Sequence, residues 1–143
     1  MVVVGKEKDR VDYAKGSSVT NEKTARRVER GWPGHFICAS RCAFRRNTLV
    51  ELGDSKVVVS TVGSMRGSDG EIEKIGLGSY YETKAFIAML ELGMYWDADV
   101  TEEIDINSAQ TLREASTGSD ALANNMHEDT VTEIAERMEG GEF

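Results

Sequence analysis

The stretch GWPGHFICASRCAFRRNTLVELGDSKVVVSTVG, Gly31 to Gly63, decides the fold. It holds both cysteines, the only proline, Trp32, His35 and the clearest strand signals of the chain. Within it Val57, Val59 and Thr61 alternate with Val58, Ser60 and Val62, the pattern of a strand covered on both faces. Gly53-Asp54-Ser55 reads as a turn, and Thr48 to Leu52 as the end of a preceding strand. The two segments therefore predict an antiparallel hairpin. Upstream, His35, Ile37, Ala39, Arg41, Ala43 and Arg45 would share one face, and Phe36, Cys38, Ser40, Cys42, Phe44 and Arg46 the other. That alternation is imperfect and predicts a bulge or break near Ala39–Arg41.

Working outward, TARRVERG (24–31) predicts a short helical turn ended by Gly31. Residues 1–24 read as a flexible or loosely packed polar arm, and 25–143 as a single domain. Downstream, a polar glycine-rich loop (63–71) precedes a short strand at Ile72–Ile75. Ser79 followed by Glu82 makes a capping box, and Ala85, Phe86, Met89 and Leu90 have helical spacing. These predict a helix over Tyr80–Leu92, with Gly93 as its C-cap. A soft region (107–125) admits a helix around Ala109–Ala115. The segment 126–143 predicts a terminal amphipathic helix with the stripe Val131, Ile134, Ala135 and Met138. The expected class is α+β: a small antiparallel sheet of three to five strands, one helix across a face and an acidic C-terminal helix.

The 143 residues suit one domain. No apolar run approaches the roughly 20 residues needed to span a bilayer, so no membrane partner is expected and a cytoplasmic location is. Two cysteines in such a chain are expected to stay reduced.

The formal charge of −8 is uneven. Residues 15–46 carry eight Lys or Arg against two acids, whereas 97–143 carry thirteen acids against two Arg. Either the two regions neutralise each other in the fold, or each presents a charged face to a partner. Net acidity disfavours DNA binding by the whole chain.

Several constellations could carry chemistry. His35, Cys38 and Cys42 are spaced H-x2-C-x3-C, and zinc would need a fourth ligand such as Asp97, Asp99 or His127. Buried cysteines acting as small hydrophobes are the plainer account, and no metal or cofactor is expected. A thiolate mechanism would use Cys38 or Cys42 with His35 as base, the thiol acidified by Arg41, Arg45 and Arg46. Tyr80, Tyr81 and Glu82 would stand at a helix N-terminus able to hold an anion, though no Gly-Lys-Ser/Thr phosphate loop is present. Asp97, Asp99, Glu102, Glu103 and Asp105 would form a solvated acidic edge or an oxygen-ligand site. Arg41, Arg45 and Arg46 with Trp32, Phe36 and Phe44 have the composition of a surface that stacks on bases or anchors a protein.

The expected function is a small acidic, non-enzymatic binding or regulatory protein of the kind an inhibitor from a mobile genome would be. A protein partner or self-association is expected, with nucleic acid second. The alternative is an enzyme or binding protein for a phosphorylated or nucleotide-like small molecule. There Arg45 or Arg46 would clamp the anion, and His35, Cys38 or Glu82 would move protons.

Overall fold

A computed structural model describes residues 24–30, 35, 39–76, 78–116 and 118–143. Trp32, Cys38 and the arm before Thr24 lie outside the described residues. The strands are β1 (Arg26–Glu29), β2 (Cys42–Leu52), β3 (Ser55–Arg66), β4 (Ile72–Glu73), β5 (Tyr81–Glu91), β6 (Tyr95–Ile104) and β7 (Thr111–Leu112). One helix, α1 (Ser119–Glu139), follows. Five strands run antiparallel in the order β1-β2-β3-β5-β6, while β4 and β7 add two-residue pairings to β3 and β5. The protein is thus an α+β domain, with its helix laid across one face of the sheet.

The β2–β3 hairpin forms as its alternation predicts. Pairing runs without interruption from Arg45↔Val62 to Leu52↔Ser55 around the Gly53 turn. β3 is central, and Val57 to Val62 are all buried, as a strand covered on both faces requires. The expected irregularity at Ala39–Arg41 is a single turn of 3-10 helix leading into β2.

Pairing register sorts the side chains onto two faces. Phe44, Arg46, Thr48 and Val50 of β2, Val57, Val59 and Thr61 of β3, and Tyr81, Thr83 and Ala85 of β5 look toward α1. Asn47 and Leu49, Val58 and Ser60, and Glu82, Phe86 and Ala88 occupy the second face. The main core lies under the helix, where Val50, Val57, Val59, Ala85 and Ile104 meet Val131, Ile134 and Met138, with Ala135 at its margin. The terminal stripe read from sequence is therefore the one that packs, and the helix starts earlier than expected, at Ser119. Gly63 matters by close approach. A Cβ there would fall 2.7 Å from the Tyr80 carbonyl oxygen and into the Tyr81 ring, so the aromatic lies directly on the bare backbone.

Three expectations are corrected. Tyr80–Leu92 is not a helix but the strand β5. Its apolar set fits both periods: Ala85 and Ile87 face α1, while Phe86 and Ala88 face the other way. β3 offers a full strand edge, and Val57↔Ile87 through Gly63↔Tyr81 satisfies the backbone there. The capping box is unused, because Glu82 turns to His35 and Ser79 makes an isolated bridge with Gly76. In place of the helical turn expected over 24–31, Arg26–Glu29 form β1, joining the sheet edge against Thr48–Glu51. The soft region yields β7 and not a helix at Ala109–Ala115.

Gly93, expected as a helix C-cap, lies in the tight β5–β6 turn at φ +66° beside Leu92 at φ +54°. The turn closes through Met94 N–H donating to the Glu91 carbonyl at 2.9 Å. Beyond the turn, Ala88 pairs with Ala98 but Phe86 with Glu103, so β6 carries several residues more than β5 between these pairs. Residues 99–102 therefore bulge out of the ladder, the sort of break that guards a sheet edge from strand addition.

Candidate functional site

Each sheet face carries one histidine-centred polar cluster. Under the helix, His127 is fully buried. Its Nε2 lies 2.7 Å from Thr48 Oγ1, and its Nδ1 2.7 Å from Thr61 Oγ1. Thr61 continues to Thr83 Oγ1 at 2.6 Å, and Thr48 donates to Glu29 at 2.9 Å. The carboxylate only accepts, and this sets the direction of the chain. Thr48 donates to Glu29, His127 Nε2–H donates to Thr48, and Nδ1 accepts from Thr61. Burial, then the positive charge of Arg46, pushes the His127 pKa down to about 4, so the imidazole is neutral at pH 7. Around it Arg46 bonds Glu29, Asn124 and Glu128, and Arg27 bonds Glu128 through both terminal nitrogens. The Arg27 hydrogen bonds lead in pulling the Glu128 carboxyl down to about 2, against burial. Burial works to raise the Glu29 carboxyl, but Arg46, Arg27 and Thr48 together hold it below the usual range.

On the second face, His35 Nδ1 lies 2.9 Å from Ser60 Oγ, and Nε2 2.9 Å from Glu82 Oε1. The same reasoning makes Nε2–H the donor to Glu82 and Nδ1 the acceptor from the Ser60 hydroxyl. The hydrogen bond from His35 is the main cause that holds the Glu82 carboxyl below its usual range. A hydroxyl donating to an imidazole anchored on a carboxylate has the polarity of a nucleophilic relay. Access decides against that use. Ser60 is 1% exposed on the central strand, and the His35 side chain is 4% exposed. The His35 ring also lies tilted against Phe86, with ring centroids 5.7 Å apart. The arrangement ties His35 to the sheet.

The other residues singled out from sequence are dispersed. Arg45 and Arg46 are neighbours on one strand and so point to opposite faces. Arg45 is exposed beside Val62, in the strand row that ends at Glu82. Arg46 belongs to the helix-side cluster. Arg41 donates to the Arg66 carbonyl and meets Glu73 at 3.4 Å. Cys42 is buried among Ala39, Val62, Met65 and Ile75. Among the described residues no three His, Cys, Asp or Glu side chains converge to hold a metal. Tyr80 lies beneath Lys74, and Tyr81 Oη donates to Asp120 at 2.5 Å. Since no helix begins there, the expected helix-terminal anion site at Tyr80 and Tyr81 has no structural basis.

Sequence reasoning named His127 only as a distant fourth zinc ligand and missed its threonine partners. The available signal was Thr48, Thr61 and Thr83, hydroxyls interrupting apolar strands at positions that share one face.

The charge distribution is resolved the same way. Arg26 pairs with Glu51, Arg27 and Arg46 with Glu128, and Arg30 approaches Asp97 at 3.9 Å while donating to the Asn47 side chain. On the helix, Glu133 accepts from the backbone of Asn107 and Ser108, and Glu139 from that of Ala25. Much of the basic segment is thus neutralised internally. Among the described residues the acids left exposed include Glu102 and Asp105 at the end of β6, where Asp99 caps Thr101 within the bulge, and Asp129 and Glu136 on α1. No helix of the described residues is long and apolar enough to cross a membrane. Comparison with known protein families, with curated proteins and with solved structures finds no match.

Proposed function

We propose that this chain is a small non-enzymatic binding protein that engages a basic macromolecular partner through the acidic β6 side of its sheet. The supporting observation is the asymmetry of charge pairing. Arg26, Arg27 and Arg46 are engaged with Glu51, Glu29 and Glu128, while Glu102 on β6 and Asp105 just beyond its end face solvent. An open field of one sign steers an oppositely charged partner. The reading differs from the sequence expectation in where the charge is offered. Glu128, Glu133 and Glu139 of the helix hold the fold together, and the exposed surplus is shared between Glu102 and Asp105 at the end of β6 and Asp129 and Glu136 on α1.

The test is native mass spectrometry of the chain recovered from its own host at low and at high ionic strength. The wild type is expected to carry a basic protein that is lost at high salt. The triple variant Asp99→Asn, Glu102→Gln, Asp105→Asn is expected to lose it already at low salt. A retained nucleic acid, or a partner held equally by the variant, would overturn the proposal. A retained phosphorylated or nucleotide-like small molecule would instead favour the competing reading, with Arg45 and Glu82 lining the second face.

A further inference from the structure

The β5–β6 hairpin breaks two local rules at once. Leu92 sits at φ +54°, a left-handed conformation that costs a non-glycine residue energy and is filled more cheaply by Gly or Asn. The same side chain is 81% exposed, and Met94, across the turn, is 79% exposed. Met89, Leu90 and Tyr95 are 40%, 48% and 45% exposed beside them. Five of the nine large apolar side chains exposed among the described residues therefore fall within seven positions. Met89 and Tyr95 lie on one face of the hairpin and Leu90 on the other, so Leu92 and Met94 form its exposed apolar tip, and an apolar tip on a strained turn calls for an explanation that scattered residues do not. The flanking acids Glu91 and Asp97 stand on the strands just behind the turn, and Asp99 and Glu102 follow in the bulge.

We infer that the turn is an insertion element: Leu92 and Met94 enter an apolar pocket on the basic partner, while the acids behind them meet its rim. This rests on the charge-guided reading above and names the anchor within it. Charge selects the occupant. A second copy of this chain docked tip to tip would bring Glu91 and Asp99 against their like, Asp97 being met by Arg30, and the bulge at 99–102 blocks edge-to-edge pairing of β6 with another strand. A cationic surface with an apolar pocket satisfies both features, in the arrangement of a buried anchor with a charged rim.

Two synthetic peptides test it by fluorescence anisotropy. One is a lysine-rich peptide cyclised around a Leu-Phe-Leu cluster, and the other carries serines in place of that cluster. The wild type is expected to bind the apolar peptide on the order of tenfold tighter, the scale of burying one large side chain. Leu92→Asn is expected to erase that preference while keeping the weaker affinity common to both peptides. Its melting temperature is expected to hold or rise, which separates lost binding from lost folding. Equal binding of the two peptides by the wild type, or an unaltered preference in Leu92→Asn, would overturn the insertion element and leave charge-guided binding standing. Binding of neither peptide would remove both readings. Concentration-dependent dimerisation abolished by Leu92→Asn would identify a second copy as the occupant and overturn the basic partner.

Discussion

His127 and His35 have matching bonding patterns and opposite surroundings. Each imidazole accepts from a strand hydroxyl through Nδ1 and donates through Nε2 toward a carboxylate, His35 directly and His127 by way of Thr48. His127 is sealed between helix and sheet with hydroxyls on both nitrogens. His35 reaches a Glu82 side chain that keeps 29% of its surface in water. Bonding pattern alone therefore does not fix a histidine's role. The surroundings do: burial and the Arg46 charge keep the His127 ring neutral at pH 7, whereas His35 acts on its acceptor, holding the Glu82 carboxyl below its usual range.

The largest break in this comparison is His127→Ala. It removes a fully buried ring and leaves the Thr48 and Thr61 hydroxyls without it in a dry interior. The expected loss is about 3 kcal/mol, combining a cavity with unsatisfied groups, read as a lowered midpoint in chemical denaturation. His35→Ala removes a ring bonded to a partly exposed carboxylate and is expected to cost about 1 kcal/mol. Equal losses for the two variants would show that the Glu82 clasp is as dry as the interior.

Acid separates the same two regions. The His127 pKa is depressed from 6.5 to about 4, so its neutral form stabilises the fold fully above pH 6.5. As pH falls from 6.5 toward 4 the unfolded chain takes up a proton that the native chain refuses. About 3 kcal/mol is lost across that window. Glu128, depressed from 4.5 to about 2, extends the loss from pH 4.5 down to 2. Its side chain is 39% exposed, so solvent screening limits this second step to about 1 kcal/mol. The expected stability profile falls in two overlapping stages, and Glu128→Gln flattens only the lower one. A single fall confined below pH 4 would contradict a neutral, buried His127.

How much of this was legible follows from where the partners lie in the chain. The β2–β3 hairpin could be read because its pattern, turn and partner strand are adjacent in sequence. The terminal helix could be read because its stripe is continuous. β5 could not: Ala85, Phe86, Met89 and Leu90 satisfy a helical stripe, and only the open edge of β3 selects the strand. The His127 network was illegible for a related reason. Its threonine contacts lie 79 and 66 residues away, and no local rule couples them. Arg45 and Arg46 looked like one cationic pair in sequence, yet strand geometry sends them to different faces.

The smallest expected effect concerns the β5–β6 turn, where local preference and structure disagree at Leu92. Leu92→Gly removes the left-handed strain at φ +54° and an exposed apolar side chain, at the cost of added freedom in the unfolded state. The two terms oppose, and relief of strain is the larger, so a gain of about 0.5 kcal/mol is expected in denaturant titration. Gly93→Ala, one position on at φ +66°, is expected to move stability the other way, since it places a Cβ in the same conformation. Opposite signs at adjacent positions would establish that Leu92 is held against the preference of its own turn. A loss in both variants would mean that the Leu92 side chain supports the hairpin, and the case for an anchor reserved for a partner would fall with it.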